Sequence, residues 1–384
     1  MKKSNYKSEE FFELMKTLRH TIHQEPELGF EETKTAEIVS QILKEAGIQI
    51  FEGIGKTGLV AKIKKGKSKK NIGLRAELDA LAIQEQNSFS HRSQASGKMH
   101  ACGHDGHTAM LLGAALYLKK YGNFDGTVYF IFQPNEEHGL GALAMIEEGL
   151  FQRFPMDSIF AIHNMPAIPT GEFAIQAGPV MASEDNFEIK VIGKAGHAAM
   201  PERAIDPIVI ASQVVLGLQS IISRNLDPKE QGVVSVTDFN SNGTTNVIPG
   251  QVTLKGDVRS FSTTTQDLVE SKIREISEGI CRAHGAKAEV FYKRSFIPTV
   301  NTEKETKLAY EAAQSLKDQV KIHKKTGPFM TSEDFGYMLQ QKPGCYLFIG
   351  NSGPNLHNPH YDFNDSNLCL GSDFWIALSE NILK

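Results

Sequence analysis

The sequence predicts an α/β fold with a mainly parallel sheet flanked by helices, interrupted by a smaller ferredoxin-like α+β domain. Three observations carry this. Short apolar runs alternate with helical patterns over the first 180 residues and again near the C-terminus. Residues 186–296 run instead in the order strand, helix, strand, strand, helix, strand. The chain has 384 residues, which is long for one hydrophobic core.

Taken in order, residues 8–20 and 31–46 carry apolar positions at helical spacing: Phe11, Phe12, Leu14, Met15 and Leu18, then Ala36, Ile38, Val39, Ile42 and Leu43. Gly47 stops the second helix. Apolar runs at 59–63, 71–78, 126–132, 158–163 and 345–350 read as strands, with helices at 108–121 and 140–151 between them. Unbroken apolar runs of this length suit a parallel sheet covered on both faces. After Gly178 the pattern changes. Residues 186–193 alternate as a half-exposed strand, an amphipathic helix runs from Pro207 to Ser223, strands follow at 232–239 and 251–261, then a helix at 265–284 and a strand at 286–296. The expected organisation is a catalytic domain of residues 1–180 and 295–384 with an inserted domain at 181–294. An antiparallel unit of this kind leaves an edge strand open to a second copy, so a homodimer through the inserted domain is expected.

Composition narrows the function classes. The net charge is -4, with 40% hydrophobic and 22% charged residues, so neither a nucleic-acid nor an acidic-membrane partner is expected. The basic run KIKKGKSKK (62–70) reads as a solvated hairpin turn. The N-terminal MKKSNYKSEEFFELM lacks the apolar core and cleavage site of a secretory signal. No apolar run approaches the roughly 20 residues of a membrane span. Cys102, Cys281, Cys345 and Cys369 are scattered, and a chain this long needs no disulfide staples, so a reducing cytoplasm is the expected location. GIGKTG (53–58) lacks nucleotide-binding spacing.

In an open α/β sheet, ligands gather at the carboxyl ends of the strands. Asp79 follows the run 71–78, Gln133, Glu136 and Glu137 follow 126–132, and His163 ends 158–163. MHACGHDGHTAM (99–110) brings Cys102 and His104 to a helix start, and NLHNPHYDFND (355–365) offers His357 and His360. Singly, each has an ordinary explanation: Cys102 as a small buried residue, His163 as a core histidine, Glu136 and Glu137 as a solvated loop. Together, thiolate, imidazole and carboxylate at one rim form a metal-ligand set. Two adjacent glutamates cannot easily point the same way, so one can ligate while the other faces water as general base. The donors are too many for one ion, and two ions sharing a bridging ligand fit better. A Cys102 nucleophile activated by histidine is the chemical rival, but it leaves the surplus His and Glu residues unexplained.

HQEPELGFEET (23–33), RAELDAL (75–81), MHACGHDGHTAMLLGAA (99–115), QPNEEHGLGALAMIEEG (133–149), AIHNMP (161–166), GKAGHAAMPERAIDPI (193–208), GTTNVIPG (243–250) and TSEDFGYM (331–338) resemble the amidohydrolase branch of the dinuclear metallopeptidases. That branch includes hippurate hydrolases, bacterial N-acyl-amino-acid amidohydrolases and plant auxin-conjugate hydrolases. The resemblance implies a metallopeptidase catalytic domain with an inserted lid or dimerisation domain. It also implies hydrolysis of the amide bond of N-acyl-L-amino acids, and two divalent ions, zinc or manganese first, nickel or cobalt next. By the same resemblance the ligands are Cys102, His104, Glu137, His163 and His360, with Cys102 bridging. Glu136 is the general base and Asp79 supports the site from behind. His197 helps stabilise the oxyanion, and Asn246 and Arg259 contact the substrate carboxylate. The alternatives are a metallo-dipeptidase or aminopeptidase on the same scaffold, or a metal-binding protein without catalysis. Ala82 and Asn135 depart from the branch's usual proline and alanine. Of the remaining groups, His107 reads as a supporting or core residue, His138 and His357 as facing solvent or the site mouth, and Asp105 as the cap of a helix beginning near Gly106.

Overall fold

The computed structural model describes residues 9–316 and 320–384. The chain divides into two compact units, Met1–Val180 with Val300–Gly327 and Asp334–Lys384, and Met181–Thr299 with Pro328–Glu333. The short segment 328–333 belongs with the second unit because the amide of Ala182 bonds the carbonyls of Phe329 (3.0 Å) and Thr331 (2.9 Å).

The first unit contains helices α1 (Glu9–Gln24), α2 (Thr33–Glu45), α3 (His104–Tyr121), α4 (Gly141–Glu147) and α5 (Leu150–Arg153). Its strands are β1 (Gln49–Ile54), β2 (Gly58–Lys65), β3 (Asn71–Glu77), β4 (Gly126–Gln133), β5 (Ser158–Met165) and β6 (Phe173–Ala174). Strand β7 (Gly178–Met181) ends this stretch of chain. The sheet has eight strands, in the order β1-β2-β4-β3-β5-β16-β6-β15, where β15 is Ile322–His323 and β16 is Gly344–Gly350. Its four central strands, β4-β3-β5-β16, are parallel, and antiparallel pairings flank them. Phe130, Phe132 and Phe160 are fully buried in this sheet, each worth about 1.5–3 kcal/mol of burial.

Helix α3 is buried along nearly its whole length because it lies between β3 on one side and α1 and α10 (Asn367–Ile382) on the other. Close approach needs small residues at the crossings. A Cβ on Gly113 would stand 2.4 Å from Met15 Sδ, and one on Gly371 2.0 Å from Met110 Sδ. The basic run 62–70 is not a hairpin turn. Strands β2 and β3 lie on opposite sides of β4, so the run crosses over the end of that strand, and Asp125 Oδ1 accepts from the amides of Lys67 and Ser68, both at 2.6 Å.

Because β3, β4 and β5 are parallel neighbours, Glu77 pairs with Gln133 and their following loops leave one edge of the sheet together. That edge receives Asp79, the loop 134–140, the end of β5 and the start of α3.

The second unit is a four-stranded antiparallel sheet in the order β10-β12-β8-β13, with β8 (Glu184–Ile192), β10 (Gly232–Asn240), β12 (Gln251–Ser260) and β13 (Lys287–Phe296). Helices α6 (Pro207–Ser220) and α7 (Thr263–Ala283) give the chain order βαββαβ of a ferredoxin-like fold. Strands β9 (Gly196–His197) and β11 (Val247–Ile248) form a separate pair. With its following turn, Pro207–Asn225 is long and apolar enough to match a membrane span, against the expectation from sequence. Its inner face (Ile210, Ala211, Val214, Leu218 and Ile221) packs into the unit's core, while Ile208, Val209 and Leu216 stay exposed.

The chain returns to the first unit through β14 (Thr299–Asn301), α8 (Glu303–Gln314) and α9 (Phe335–Gln341).

Candidate metal centre

The start of α3 is built around Gly103, whose φ of 92° is a conformation glycine adopts freely. A Cβ there would lie 2.4 Å from Asn164 Nδ2 and 2.6 Å from Tyr361 Oη. Asn164, at the end of β5, donates from Nδ2 to the carbonyl of Cys102 at 2.5 Å and accepts the Tyr361 hydroxyl. One amide side chain thus joins the Cys102 loop, the strand that carries His163 and the C-terminal loop.

The ring of His104 is oriented from behind. Its Nδ1 lies 2.8 Å from the carbonyl oxygen of Asp79 and 3.2 Å from Asp79 Oδ1. The carbonyl accepts the Nδ1–H, Oδ1 lies within ion-pair range without a hydrogen bond, and Nε2 is the nitrogen turned to the site. His163 is set the same way, with Nδ1 donating to the Asn164 carbonyl at 2.6 Å and Nε2 standing 3.3 Å from Cys102 Sγ. Asp79 Oδ2 also accepts from the amide of Glu137 at 3.0 Å. One carboxylate therefore fixes two neighbouring donors.

Three donor groups overlap at this edge: Cys102, His104 and His163; His104, Glu136 and Glu137; and Cys102, Glu137 and His357. Within each, the ligating atoms lie within 4.8 Å of one another. His104 Nε2 is 3.9 Å from Glu136 Oε2 and 4.0 Å from Glu137 Oε1. Both His104 Nε2 and Glu137 Oε1 are buried without a hydrogen-bond partner among the described residues. Buried polar atoms are almost always satisfied, so a convergent orphaned pair points to a cation between them. Electrostatics agrees. Burial works against a charge on His104, yet Asp79 and the nearby glutamates outweigh it and push its pKa up to about 10. Burial, then Glu137 and Glu136, hold the Cys102 thiol well above its usual range. Nucleophilic cysteines lie in electropositive surroundings, so this acidic pocket argues for a metal-bound thiolate instead.

His360 is not among these donors. Its side chain is exposed and its backbone amide bonds Asn358 Oδ1 at 2.8 Å. His357 takes its place, with Nε2 at 3.4 Å from Glu137 Oε2. The His357 amide is tied to the Ala101 carbonyl at 2.8 Å, and its φ is 60°. The His357 ring, expected to face solvent or the site mouth, is half-exposed and lies beside Glu137.

Asp105 does not cap the helix. Helix α3 begins at His104, and the Asp105 carboxylate accepts from His23 Nδ1 at 2.9 Å and Arg19 Nη1 at 3.1 Å. Arg19, fully buried, also pairs with Asp362 at 2.9 Å and Asp365 at 2.6 Å. Arg19 and His23 were missed from sequence. The available signal is that they share the buried face of α1 with Met15, Leu18 and Ile22, where charges are out of place.

His107 is buried, with Nδ1 on Glu77 Oε2 at 2.9 Å and Nε2 accepting the Asn164 amide at 3.0 Å. Both nitrogens are engaged, and the ring acts as a spacer beneath the site. Glu77 in turn pairs with Arg75, which reaches Asp334 at 3.0 Å. His100 is buried, and burial pushes its pKa down to about 3. His138 is exposed and bonds Asn135 Oδ1 at 2.6 Å. Asn135 has φ of 47°, a conformation that asparagine tolerates better than alanine.

His197, Asn246 and Arg259 belong to the second unit. His197 and Asn246 are neighbours, since β9 pairs with β11 and the amide of Ala198 bonds the Asn246 carbonyl at 3.1 Å. His197 Nδ1 accepts from the Ala199 amide at 3.1 Å, which leaves an exposed Nε2–H as donor. Arg259 sits on β12, held by Glu184, Asp257 and Ser332.

Residues 73–381 match the sequence profile of peptidase family M20/M25/M40. The chain is 43% identical over 368 residues to the hippurate hydrolase of Campylobacter jejuni, covering 96% of each. It is 37% identical over 371 residues to the N-acetylcysteine deacetylase of Bacillus subtilis, again covering 96% of each. Among solved structures, the YXEP protein of Bacillus subtilis, a dinuclear metal binding peptidase from the M20 family, superposes with a TM-score of 0.86. That match has 33% identity and covers 98% of this chain and 99% of the other. The chain belongs to peptidase family M20/M25/M40 and is an amidohydrolase of that family.

Proposed function

We propose that the protein hydrolyses the amide bond of N-acyl-L-amino acids, releasing a carboxylic acid and a free amino acid. The observation that carries this reading is the placement of Glu136. It is 5% exposed, beside Glu137, with Oε2 3.9 Å from Nε2 of His104. Cys102, His104, Glu137, His163 and His357 would hold two divalent ions. When bound, the ions supply Lewis acidity for the attacking water and the scissile carbonyl.

Glu136 takes the proton of the attacking water and delivers it to the leaving nitrogen. The Nε2–H of His197 supplies a hydrogen bond to the carbonyl oxygen as it gains charge. Asn246 and Arg259 recognise the carboxylate of the amino-acid half, a task suited to a guanidinium. Asp79 keeps His104 in the tautomer that can ligate. The thiolate favours zinc and the carboxylates tolerate manganese. Four free cysteines are consistent with a reducing, cytoplasmic setting. The inserted sheet has open edges at β10 and β13, which supports a homodimer through that unit.

The deciding experiment is an assay of metal-reconstituted protein on N-acetyl and N-benzoyl amino acids against the matching free dipeptides. Preference for the acylated compounds supports the reading. Preference for free dipeptides makes the protein a dipeptidase, and bound metal with no turnover on either makes it a non-catalytic metal binder.

A further inference from the structure

Within the second unit, Arg259 does not stand as a free cation. It lies one step beyond the last paired positions of β8 and β12, Val258 and Asp185, and so faces Glu184 across the strands. Its Nη1 is 2.8 Å from Glu184 Oε2 and its Nε is 3.0 Å from Asp257 Oδ2. Asp257 is two residues earlier on the same strand and therefore on the same face. Nη1 also donates to Ser332 Oγ at 2.6 Å, and that hydroxyl donates to Glu184 Oε2 at 3.2 Å. One guanidinium thus meets two carboxylates, and the cluster carries a net negative charge. The side chains are 21%, 29% and 31% exposed for Arg259, Glu184 and Asp257. They are open enough to exchange partners and sheltered enough for the charges to be felt.

We propose that Glu184 is a specificity-determining residue, an internal carboxylate that holds Arg259 and must be displaced or outcompeted by the carboxylate of a substrate. The inference rests on the reading of Arg259 as the group that recognises the amino-acid carboxylate. Asp257 acts in the same direction through Nε. A substrate carboxylate then gains less from Arg259 than it would from an unpaired guanidinium. Selectivity for acids over neutral analogues is held down accordingly.

The test compares an N-acyl amino acid that the enzyme turns over with its carboxamide, as kcat/KM for each or as the inhibition constant where the amide is not turned over. Glu184→Gln keeps a hydrogen-bond acceptor of the same shape but removes the charge. The preference for acid over amide is expected to rise roughly 1.5- to fivefold, the scale of one partly exposed ion pair. Asp257→Asn should raise it in the same sense. Damage to the fold lowers both numbers together and cancels in the ratio. Arg259→Gln separates the two ideas. If it lowers the acid preference while Glu184→Gln leaves the preference unchanged or lowers it, the internal-carboxylate role is overturned and the recognition role stands. If Arg259→Gln leaves the preference unchanged, the recognition role fails and the inference falls with it.

Discussion

Asp79 accepts the His104 Nδ1–H at its own carbonyl, 2.8 Å away, and sets one carboxylate oxygen 3.2 Å from the same nitrogen as an ion-pair contact, while its second carboxylate oxygen takes the Glu137 amide. Removing the carboxylate loosens two donors at once. Asp79→Ala is expected to weaken metal affinity by about 10- to 100-fold. Titration against a chromophoric chelator measures this, and affinity equal to wild type would remove Asp79 from the supporting role.

Glu136→Gln is expected to bind metal as wild type does while losing about 10²–10⁴-fold in turnover. Elemental analysis beside steady-state rates separates the two quantities. Near-normal turnover would show that another group takes the proton.

The two histidines of the C-terminal loop should behave differently. His357→Ala is expected to lose metal, because His357 faces Glu137 across 3.4 Å. His360→Ala, altering an exposed ring, is expected to stay within about twofold of wild type, as surface changes usually do. Metal content of the two purified variants decides it, and the reverse order would restore His360 as the ligand.

Stability should fall on the alkaline side. Burial opposes a charge on His23, but Asp105 and then Glu85 outweigh it and raise its pKa to about 9. The folded value lies above the unfolded one, near 6.5. The stabilisation is therefore complete below about pH 6.5 and is lost as pH rises through 9. The melting temperature is expected to drop by a few degrees over that interval, and by less in His23→Gln. Thermal denaturation across the range is the measurement, and parallel curves for the two proteins would dismiss His23 as the source.

The parts of the fold that were legible in sequence are those where burial is uniform. Strands β3, β4, β5 and β16 are nearly or wholly covered and read as apolar runs. Strand β1 was missed because it lies at the sheet edge and is largely exposed, so its residues carry no clear pattern. The rim of the site was legible because parallel strands send their following loops to one edge. The choice between His357 and His360 was not. Both lie in one polar loop and are exposed, and only the folded backbone, left-handed at His357, shows which ring lies beside Glu137. Asp105 was misread for a related reason. A carboxylate in the first turn of a helix looks like a cap unless the partners Arg19 and His23, more than 80 residues earlier, are known.

Through Tyr361, the Asn164 side chain joins the Cys102 loop to the loop that carries His357. On the ribosome this sets an order of events. More than 250 residues separate Cys102 from His357, so the thiol and the imidazole of His104 are made first and wait through most of synthesis. At about 5–20 residues per second that wait is roughly 13–50 s. During it, the nascent chain holds the thiol without the His357 imidazole. If His357 is a ligand, loading of the centre waits until the C-terminal loop has been made, and a product truncated before that loop is expected to be inactive.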